Sequence, residues 1–293
     1  MDGAIMTILA IGTAQFGLNY GINNCSGQVQ AAEINQILTQ AKQSGVKTLD
    51  TAIAYGESEL ALGRNDLTSF EVITKLPAIP DGCQNIDQWV NEQVTGSLAR
   101  LNISQLDAVL LHCPEQLLQS QGTALYQALL QLKEAGLCKR IGVSIYSPDE
   151  LASLINRFEL DIVQLPMNVF DQRALQSGWL ERLYNKKIAV HIRSLFLQGL
   201  LLMSEDKRPI TFNTWQYQWQ NWQLWLNEQS ISPLEGCLRP FLAMPEIEKL
   251  VIGIDSLSQF NEIIQILSQP PLTMPTQLSH TDVQLLNPSL WSK

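Results

Sequence analysis

The sequence predicts an α/β fold, a (β/α)8 or TIM barrel, in a single domain over residues 1–293 with a C-terminal tail over 270–293. Apolar runs and helical patterns alternate eight times, the number that closes a parallel sheet into a barrel. The 293 residues show no break in composition, and such barrels reach this size as one domain. Residues 12–17 lack both the G-x-G-x-x-G fingerprint and the Walker lysine, which disfavours the alternative, an open doubly wound sheet.

Each predicted strand is a short apolar run, and each predicted helix shows apolar residues at helical spacing. Ser147 and Pro148 fit the cap and first turn of a helix. The strands are placed at 9–13, 46–50, 71–75, 106–111, 140–144, 161–165, 188–192 and 250–253. The helices are placed at 31–44, 58–62, 86–101, 123–135, from 147 onward, 174–185, 215–229 and 259–267. The tail from residue 270 is rich in Pro, Ser and Thr and is predicted to wrap the surface.

Composition and charge exclude several classes of protein. The net charge of −9 argues against a nucleic-acid partner. No apolar run approaches the ~20 residues that span a membrane, and residues 1–6 do not resemble a signal peptide. The five cysteines, at 25, 83, 113, 138 and 237, have no C-x-x-C spacing. Reduced thiols in a cytoplasmic protein fit this pattern, and no metal site is predicted.

Polar side chains end or follow three consecutive predicted strands. Asp50 ends the second strand and Tyr55 lies in the loop after it, while Lys75 ends the third strand and His112 the fourth. The carboxyl ends of the strands of a barrel meet at one rim, where active sites lie. Each residue alone has a structural explanation, such as a helix cap or an exposed strand end. Together they predict one site, whereas Cys113, next to His112, is predicted to serve packing.

These four side chains suit the reduction of a carbonyl group. A tyrosine phenol is a weak acid, and a lysine ammonium nearby makes it a better proton donor. A carboxylate holds that lysine charged, and a histidine hydrogen-bonds the substrate oxygen. The set would stabilise a developing alkoxide while it donates a proton. The hydride must come from a cofactor, because no side chain supplies one.

The chain resembles the aldo-keto reductases, which are nicotinamide-dependent (β/α)8 barrels. Residues 49–56 match the family signature Asp-Thr-Ala-x-x-Tyr-Gly, and residues 72–76 and 110–114 resemble its lysine and histidine strands. The resemblance implies that Tyr55 is the general acid, that Lys75 and Asp50 tune it, and that His112 orients the substrate. It also implies NAD(P)H as cofactor, with NADH or NADPH left open, and a small-molecule carbonyl substrate.

The resemblance extends less evenly to cofactor-binding residues. Gly12 and Thr13 resemble the turn near the nicotinamide, and Asp50 lies beside it. Ser144 and Gln164 match the residues that hold the carboxamide, but Ile145 stands where the family has Asn. Arg193, followed by Ser194, stands where many members place a tyrosine under the nicotinamide. Its guanidinium can stack on that ring, or it can be an ion-paired arginine at a strand end.

The segment 251–262 resembles the family's adenosine-phosphate segment. It implies cofactor contacts from Gly253, Asp255, Ser256, Gln259 and Glu262. Many members carry a basic residue where Asp255 stands; an acid would repel a 2′-phosphate and can accept hydrogen bonds from a free ribose. The alternative is that Asp255 caps the last helix.

The predicted function is reduction of an aldehyde or ketone by an NAD(P)-dependent oxidoreductase. Two alternatives stay open: a Schiff-base lyase in which Lys75 forms the imine, and a non-catalytic barrel subunit that binds the cofactor. Loops 76–88 and 194–214 are expected to determine specificity. An aromatic cluster, at 215, 217, 219, 222 and 225, is predicted to pack against the barrel, or to form a substrate-facing wall.

Overall fold

Eight short strands form the centre of the protein in a computed structural model that describes residues 8–22 and 27–291. These strands are β1 (Leu9–Gly12), β2 (Thr48–Asp50), β3 (Glu71–Leu76), β4 (Leu106–Leu111), β5 (Cys138–Ser144), β6 (Ile162–Pro166), β7 (Ala189–Arg193) and β8 (Lys249–Gly253). All pair in parallel in chain order, and β8 pairs with β1 to close the sheet. Their near-continuous burial is typical of parallel strands covered on both faces. The predicted (β/α)8 barrel is confirmed.

Strand register aligns the residues that carry the predicted chemistry. Gly12 lies beside both Asp50 of β2 and Gly253 of β8. On the other side of the barrel, Ser144 lies beside Gln164 of β6. The predicted strand-end residues therefore share one rim, at the carboxyl ends of the strands.

The helices follow the predicted order. They are α1 (Ala14–Gly17), α2 (Ala31–Gln43), α3 (Ser58–Gly63), α4 (Ile86–Leu101), α5 (Gly122–Glu134), α6 (Leu151–Ile155), α7 (Arg173–Gln176), α8 (Trp179–Asn185), α9 (Gln216–Gln229), α10 (Pro233–Leu238), α11 (Leu257–Leu267) and α12 (Val283–Leu286). The helix predicted over 174–185 is two helices, because Gly178 adopts a φ of 73° between them. Ser147 closes a capping box with Glu150, as its sequence position predicts.

The barrel interior changes from apolar to polar along the strands. Ile73, Ala108, Leu110 and Ile162 form a small fully buried cluster inside the barrel. Two residues beyond Ile73, Lys75 takes the inward position on β3, and Gln164 follows Ile162 in the same way on β6, because alternate residues of a strand share a face. The polar site therefore rests on a packed apolar floor.

A second apolar cluster joins α9 to the tail. Trp219, Trp222 and Trp225 are buried in it, and the fully buried Leu278 and Leu285 come from the tail. The tail therefore does more than wrap the surface, since its leucines complete this core. Of the two predictions for the aromatic segment, the structure supports packing. The cluster in which these residues pack is separate from the main barrel core. Tyr217 is excluded from it, with 76% of its surface exposed.

No helix in the described part of the chain is long and apolar enough to cross a membrane. Residues 1–6, to which the signal-peptide prediction applies, lie outside the described ranges, as does Cys25. Of the described cysteines, Cys138 and Cys237 are buried and Cys83 and Cys113 half-buried, and none is in a disulfide.

Candidate active site

A cleft of about 410 Å³ opens at the carboxyl ends of the strands. It is the expected position of an active site in a barrel. Of the predicted residues, those that line it are Gly12, Thr13, Asp50, Tyr55, His112, Ser144, Gln164, Arg193, Ser194, Gly253, Asp255 and Gln259. Three predicted residues, Lys75, Ser256 and Glu262, are not among the lining residues.

Lys75 and Asp50 form an ion pair beneath the cleft. The ammonium bonds Asp50 Oδ1 and also donates to the carbonyl of Thr51 at 2.9 Å. Lys75 is only 1% exposed and Asp50 only 3%. Burial by itself lowers the pKa of Lys75, but the charge of Asp50 and the nearness of Tyr55 outweigh it, so the pKa is raised. The buried lysine therefore stays an ammonium.

The second oxygen of Asp50 is held from the opposite side of the barrel. Gln164 Nε2 donates to Asp50 Oδ2 at 2.7 Å, and Gln164 Oε1 accepts from Ser144 Oγ at 3.1 Å. Ser144 and Gln164, predicted as the carboxamide-binding pair, thus also bond each other. Both carboxylate oxygens of Asp50 have a donor, which is what a buried carboxylate requires.

Tyr55 stands at the cleft in a tight turn after β2. Its backbone N–H donates to the carbonyl of Ala52 at 3.0 Å, and Gly56 has a φ of 56°, where glycine is favoured. Gly17 of α1 packs closely against this turn, since a Cβ there would lie 1.9 Å from the Tyr55 carbonyl. This close contact fixes the turn. The turn thereby holds the phenol ring so that its centre lies 5.1 Å from the Lys75 ammonium.

His112 lies beside Tyr55 at the end of β4. The two rings meet edge to face, with centroids 5.9 Å apart. Burial, and then the positive charges of Lys75 and Arg193, lower the pKa of His112 to about 4. The imidazole is therefore neutral at physiological pH, with one N–H to donate.

Thr13 supports the site from below. Its hydroxyl donates to the backbone carbonyl of Asp50 at 3.0 Å, and the Ser58 hydroxyl in turn donates to Thr13 at 2.9 Å. All these atoms are buried. Thr13 thereby ties the end of β1 to the end of β2, besides lining the cleft.

Arg193 ends β7 without a carboxylate partner among the described residues. It donates to the carbonyl of Ile145 at 2.9 Å and to Ser194 Oγ at 3.3 Å. Its guanidinium lies over the ring of Tyr146, 4.7 Å from the centroid. Within the described residues, the structure therefore gives no support to the ion-paired arginine of the two predictions.

The loop after Arg193 forms one wall of the cleft in unusual backbone conformations. Ser194, Leu197 and Gln198 have φ values of 63°, 49° and 55°. Such conformations in residues other than glycine cost about 1–3 kcal/mol each and cluster at functional sites. This loop belongs to the predicted specificity segment 194–214, whereas no residue of the other segment, 76–88, lines the cleft.

Asp255 lines the cleft after β8. Burial raises its pKa, and its Oδ1 is buried without a hydrogen-bond partner in the described part of the chain. It does not cap α11, because Ser256 does so by accepting from the backbone of Gln259 at 3.2 Å. Ser256 therefore has a structural role, and Glu262 lies exposed on the helix.

Several lining residues were not singled out from the sequence. Tyr20 follows β1, Tyr146 follows β5, and Phe196, Gln198 and Leu202 belong to the loop after β7. The one feature that these residues share in the sequence is their position after the carboxyl end of a strand. Loop residues carry no periodicity, so the sequence gives no further reason to select these over their neighbours.

Two further findings concern a cysteine nucleophile and a metal site. Burial and the charge of Glu115 raise the pKa of the Cys113 thiol, which disfavours a thiolate nucleophile and agrees with packing. No group of three or more His, Cys, Asp or Glu within 8–22 and 27–291 is arranged to hold a metal ion.

Comparison with known proteins finds a family model that matches most of the chain and curated relatives that match less than half of it. The sequence model of the aldo/keto reductase family matches residues 8–275. An aldo-keto reductase of Mycolicibacterium vanbaalenii is 34% identical over 137 residues, covering 44% of this chain and 46% of that protein. The 2,5-diketo-D-gluconic acid reductase B of a Corynebacterium is 32% identical over 127 residues, covering 41% and 43%. These alignments span about half the length of the curated relatives.

Solved structures share the fold. An aldo-keto reductase from Bacillus halodurans in its holo form superposes with a TM-score of 0.73, covering 92% of this chain and 89% of that one at 19% identity. At that identity the similarity shows the barrel and no more. The family match agrees with the predicted class, an NAD(P)-dependent oxidoreductase.

Proposed function

Because the chain belongs to the aldo/keto reductase family, we propose that it reduces an aldehyde or ketone to an alcohol with NAD(P)H, using Tyr55 as the proton donor. One observation carries the proposal. A buried Lys75 ammonium, held by Asp50, lies 5.1 Å from the Tyr55 ring centre, and the neutral His112 packs against the same ring. Asp50, Tyr55 and His112 line the same cleft, and Lys75 lies beneath it.

The roles of these residues follow from their charges. The Lys75 ammonium stabilises negative charge on the Tyr55 oxygen, so the phenol can release its proton to the substrate oxygen. Asp50 keeps Lys75 charged and in position. His112, neutral, can donate its N–H to the same oxygen and orient the carbonyl. The site thus combines a proton donor with a donor that stabilises developing negative charge.

A nicotinamide cofactor fits the cleft, and it would supply the hydride when bound. Asp255 has a buried oxygen there without a partner among the described residues, which suits a hydroxyl group. Ser144 and Gln164 give polar groups close to Asp50. The remaining candidates for cofactor contact are Gly12, Thr13, Arg193, Ser194, Gly253 and Gln259 at the cleft, with Ser256 and Glu262 on α11 as the weakest candidates.

The proposal is tested by titrating NADH and NADPH while following the tryptophan fluorescence, then by assaying carbonyl-dependent oxidation of the bound cofactor. We expect saturable binding and turnover with small aldehydes or ketones, including sugar acids of the kind named in the Corynebacterium relative. Absence of binding by both cofactors would reject the proposal. Binding without turnover of any carbonyl would instead favour the non-catalytic subunit.

The Schiff-base alternative has little physical support. An imine-forming lysine must be an uncharged amine with access to substrate, whereas Lys75 is 1% exposed, ion-paired, and has a raised pKa. Borohydride treatment with candidate carbonyl substrates, followed by mass spectrometry, should give no adduct on Lys75. An adduct there would favour the lyase.

A further inference from the structure

Arg193 is the one Lys or Arg among the described residues that line the cleft. Its hydrogen bonds go to neutral oxygens, those of Ile145 and Ser194. The other charged pair of the site, Asp50 with Lys75, is internally compensated. Asp255 is the remaining charged residue among the described ones that line the cleft, but it forms no ion pair with Arg193 within residues 8–22 and 27–291, and burial alone accounts for the shift of its pKa. Within the described residues, the part of the cleft next to Tyr55 and His112 therefore carries one uncompensated positive charge.

The field of that charge reaches the catalytic groups. Arg193 is one of the causes that lower the pKa of His112 to about 4, after burial and Lys75. Its charge also acts to lower the pKa of Lys75 and the pKa of Tyr20, although other causes raise the pKa of both groups overall. A ligand that places a charge beside Tyr55 and His112 therefore interacts with this guanidinium.

We infer that Arg193 makes the protein bind the reduced nicotinamide cofactor more tightly than the oxidised one. The inference rests on the proposed function. Both redox forms carry the same adenosine, riboses and pyrophosphate, so their interactions with the rest of the cleft cancel in the comparison. They differ at the nicotinamide, which is neutral when reduced and positively charged when oxidised. A fixed cation repels the second form alone.

The direction of the reaction follows from this difference. Carbonyl reduction consumes the reduced cofactor and produces the oxidised one. A site that repels the oxidised nicotinamide releases this product readily and is weakly inhibited by it. The cleft is therefore suited to reduction rather than to alcohol oxidation.

Isothermal titration calorimetry of the full chain with NADH and NAD⁺, and with the NADPH and NADP⁺ pair, tests the inference without turnover. We expect the reduced form of the better-bound pair to bind on the order of tenfold or more tightly. Arg193→Gln should bring the ratio toward one, whereas Arg193→Lys, which keeps the charge, should retain most of it.

The outcomes separate this inference from the proposed function. Equal affinities in the wild type, or an unchanged ratio in Arg193→Gln, would overturn the role of Arg193 while leaving the reductase proposal intact. Failure of all four nucleotides to bind would overturn both. If Arg193→Gln does not fold, the wild-type ratio measured at low and high salt decides, because screening must reduce a charge-based preference.

Discussion

Gln164 on β6 reaches across the barrel to Asp50 on β2 and donates to its Oδ2 at 2.7 Å. The two strands are not neighbours in the sheet, so this bond crosses the interior. It supplies a hydrogen-bond donor to the carboxylate oxygen that Lys75 does not contact. The arrangement of the proposed catalytic residues therefore depends on a residue that the family resemblance assigns to cofactor binding alone.

Replacing Gln164 should destabilise the protein. Gln164→Leu keeps much of the volume but leaves a buried carboxylate oxygen without a donor, at a cost of about 1–3 kcal/mol. The free energy of unfolding from urea denaturation measures the loss. Ser144→Ala is the matched control, because it removes only the bond from Ser144 Oγ to Gln164 Oε1 and leaves Asp50 satisfied. An equal or larger loss in the control would show that the Asp50 contact is not the important one.

Tyr55→Phe removes the proton donor and keeps the aromatic ring. We expect kcat to fall by roughly 10²–10⁴, the usual contribution of a general acid. Cofactor affinity should change little, because the ring still packs edge to face against His112. Steady-state kinetics and a cofactor titration on the same preparation separate the two effects. Undiminished turnover of a carbonyl that the wild type reduces would remove Tyr55 from its proposed role.

Much of this site could be predicted from the sequence, because its main residues end consecutive strands and topology alone brings strand ends together. Asp50, Tyr55, Lys75 and His112 meet for that reason. Side-chain direction could not be predicted in the same way. Arg193 stacks on Tyr146, Ser256 turns to cap α11, and Gln164 crosses the barrel. The contacts of Arg193 and Gln164 join segments that are distant in the chain and have no periodic signal, whereas the Ser256 cap is a local contact with Gln259, three residues on.

The lowered pKa of His112 predicts a specific dependence of stability on pH. In the unfolded chain the imidazole binds a proton below about pH 6.5, whereas in the folded protein it does so only near pH 4. Between these values the unfolded state holds the extra proton, so stability falls as the pH falls. Relative to His112→Gln, the wild type should lose up to about 1.4 kcal/mol more per pH unit in this window.

Urea denaturation of both proteins from pH 4 to 7 measures that difference. The buried His191, whose pKa is also lowered, is present in both and cancels. Parallel curves for the two proteins would contradict the assignment of a neutral His112. An NMR titration of the His112 ring gives an independent value for its pKa.

Asp255 predicts a preference for NADH. NADPH carries a 2′-phosphate with nearly two extra negative charges, and Asp255 has a carboxylate oxygen in the cleft that no described residue hydrogen-bonds. Nearby Ser256, Leu257 and Ser258 carry no positive charge, and Arg208 stacks on Trp219, 4.1 Å from the ring centroid, rather than lining the cleft. A like charge near the phosphate costs on the order of 1 kcal/mol, about a tenfold loss of affinity. We therefore expect NADH to bind at least as tightly as NADPH.

Asp255→Asn should remove the repulsion, and Asp255→Arg should shift the preference toward NADPH, as measured by fluorescence titration. Wild-type protein that binds NADPH tenfold more tightly than NADH would refute this role for Asp255, since another cation would then have to hold the phosphate.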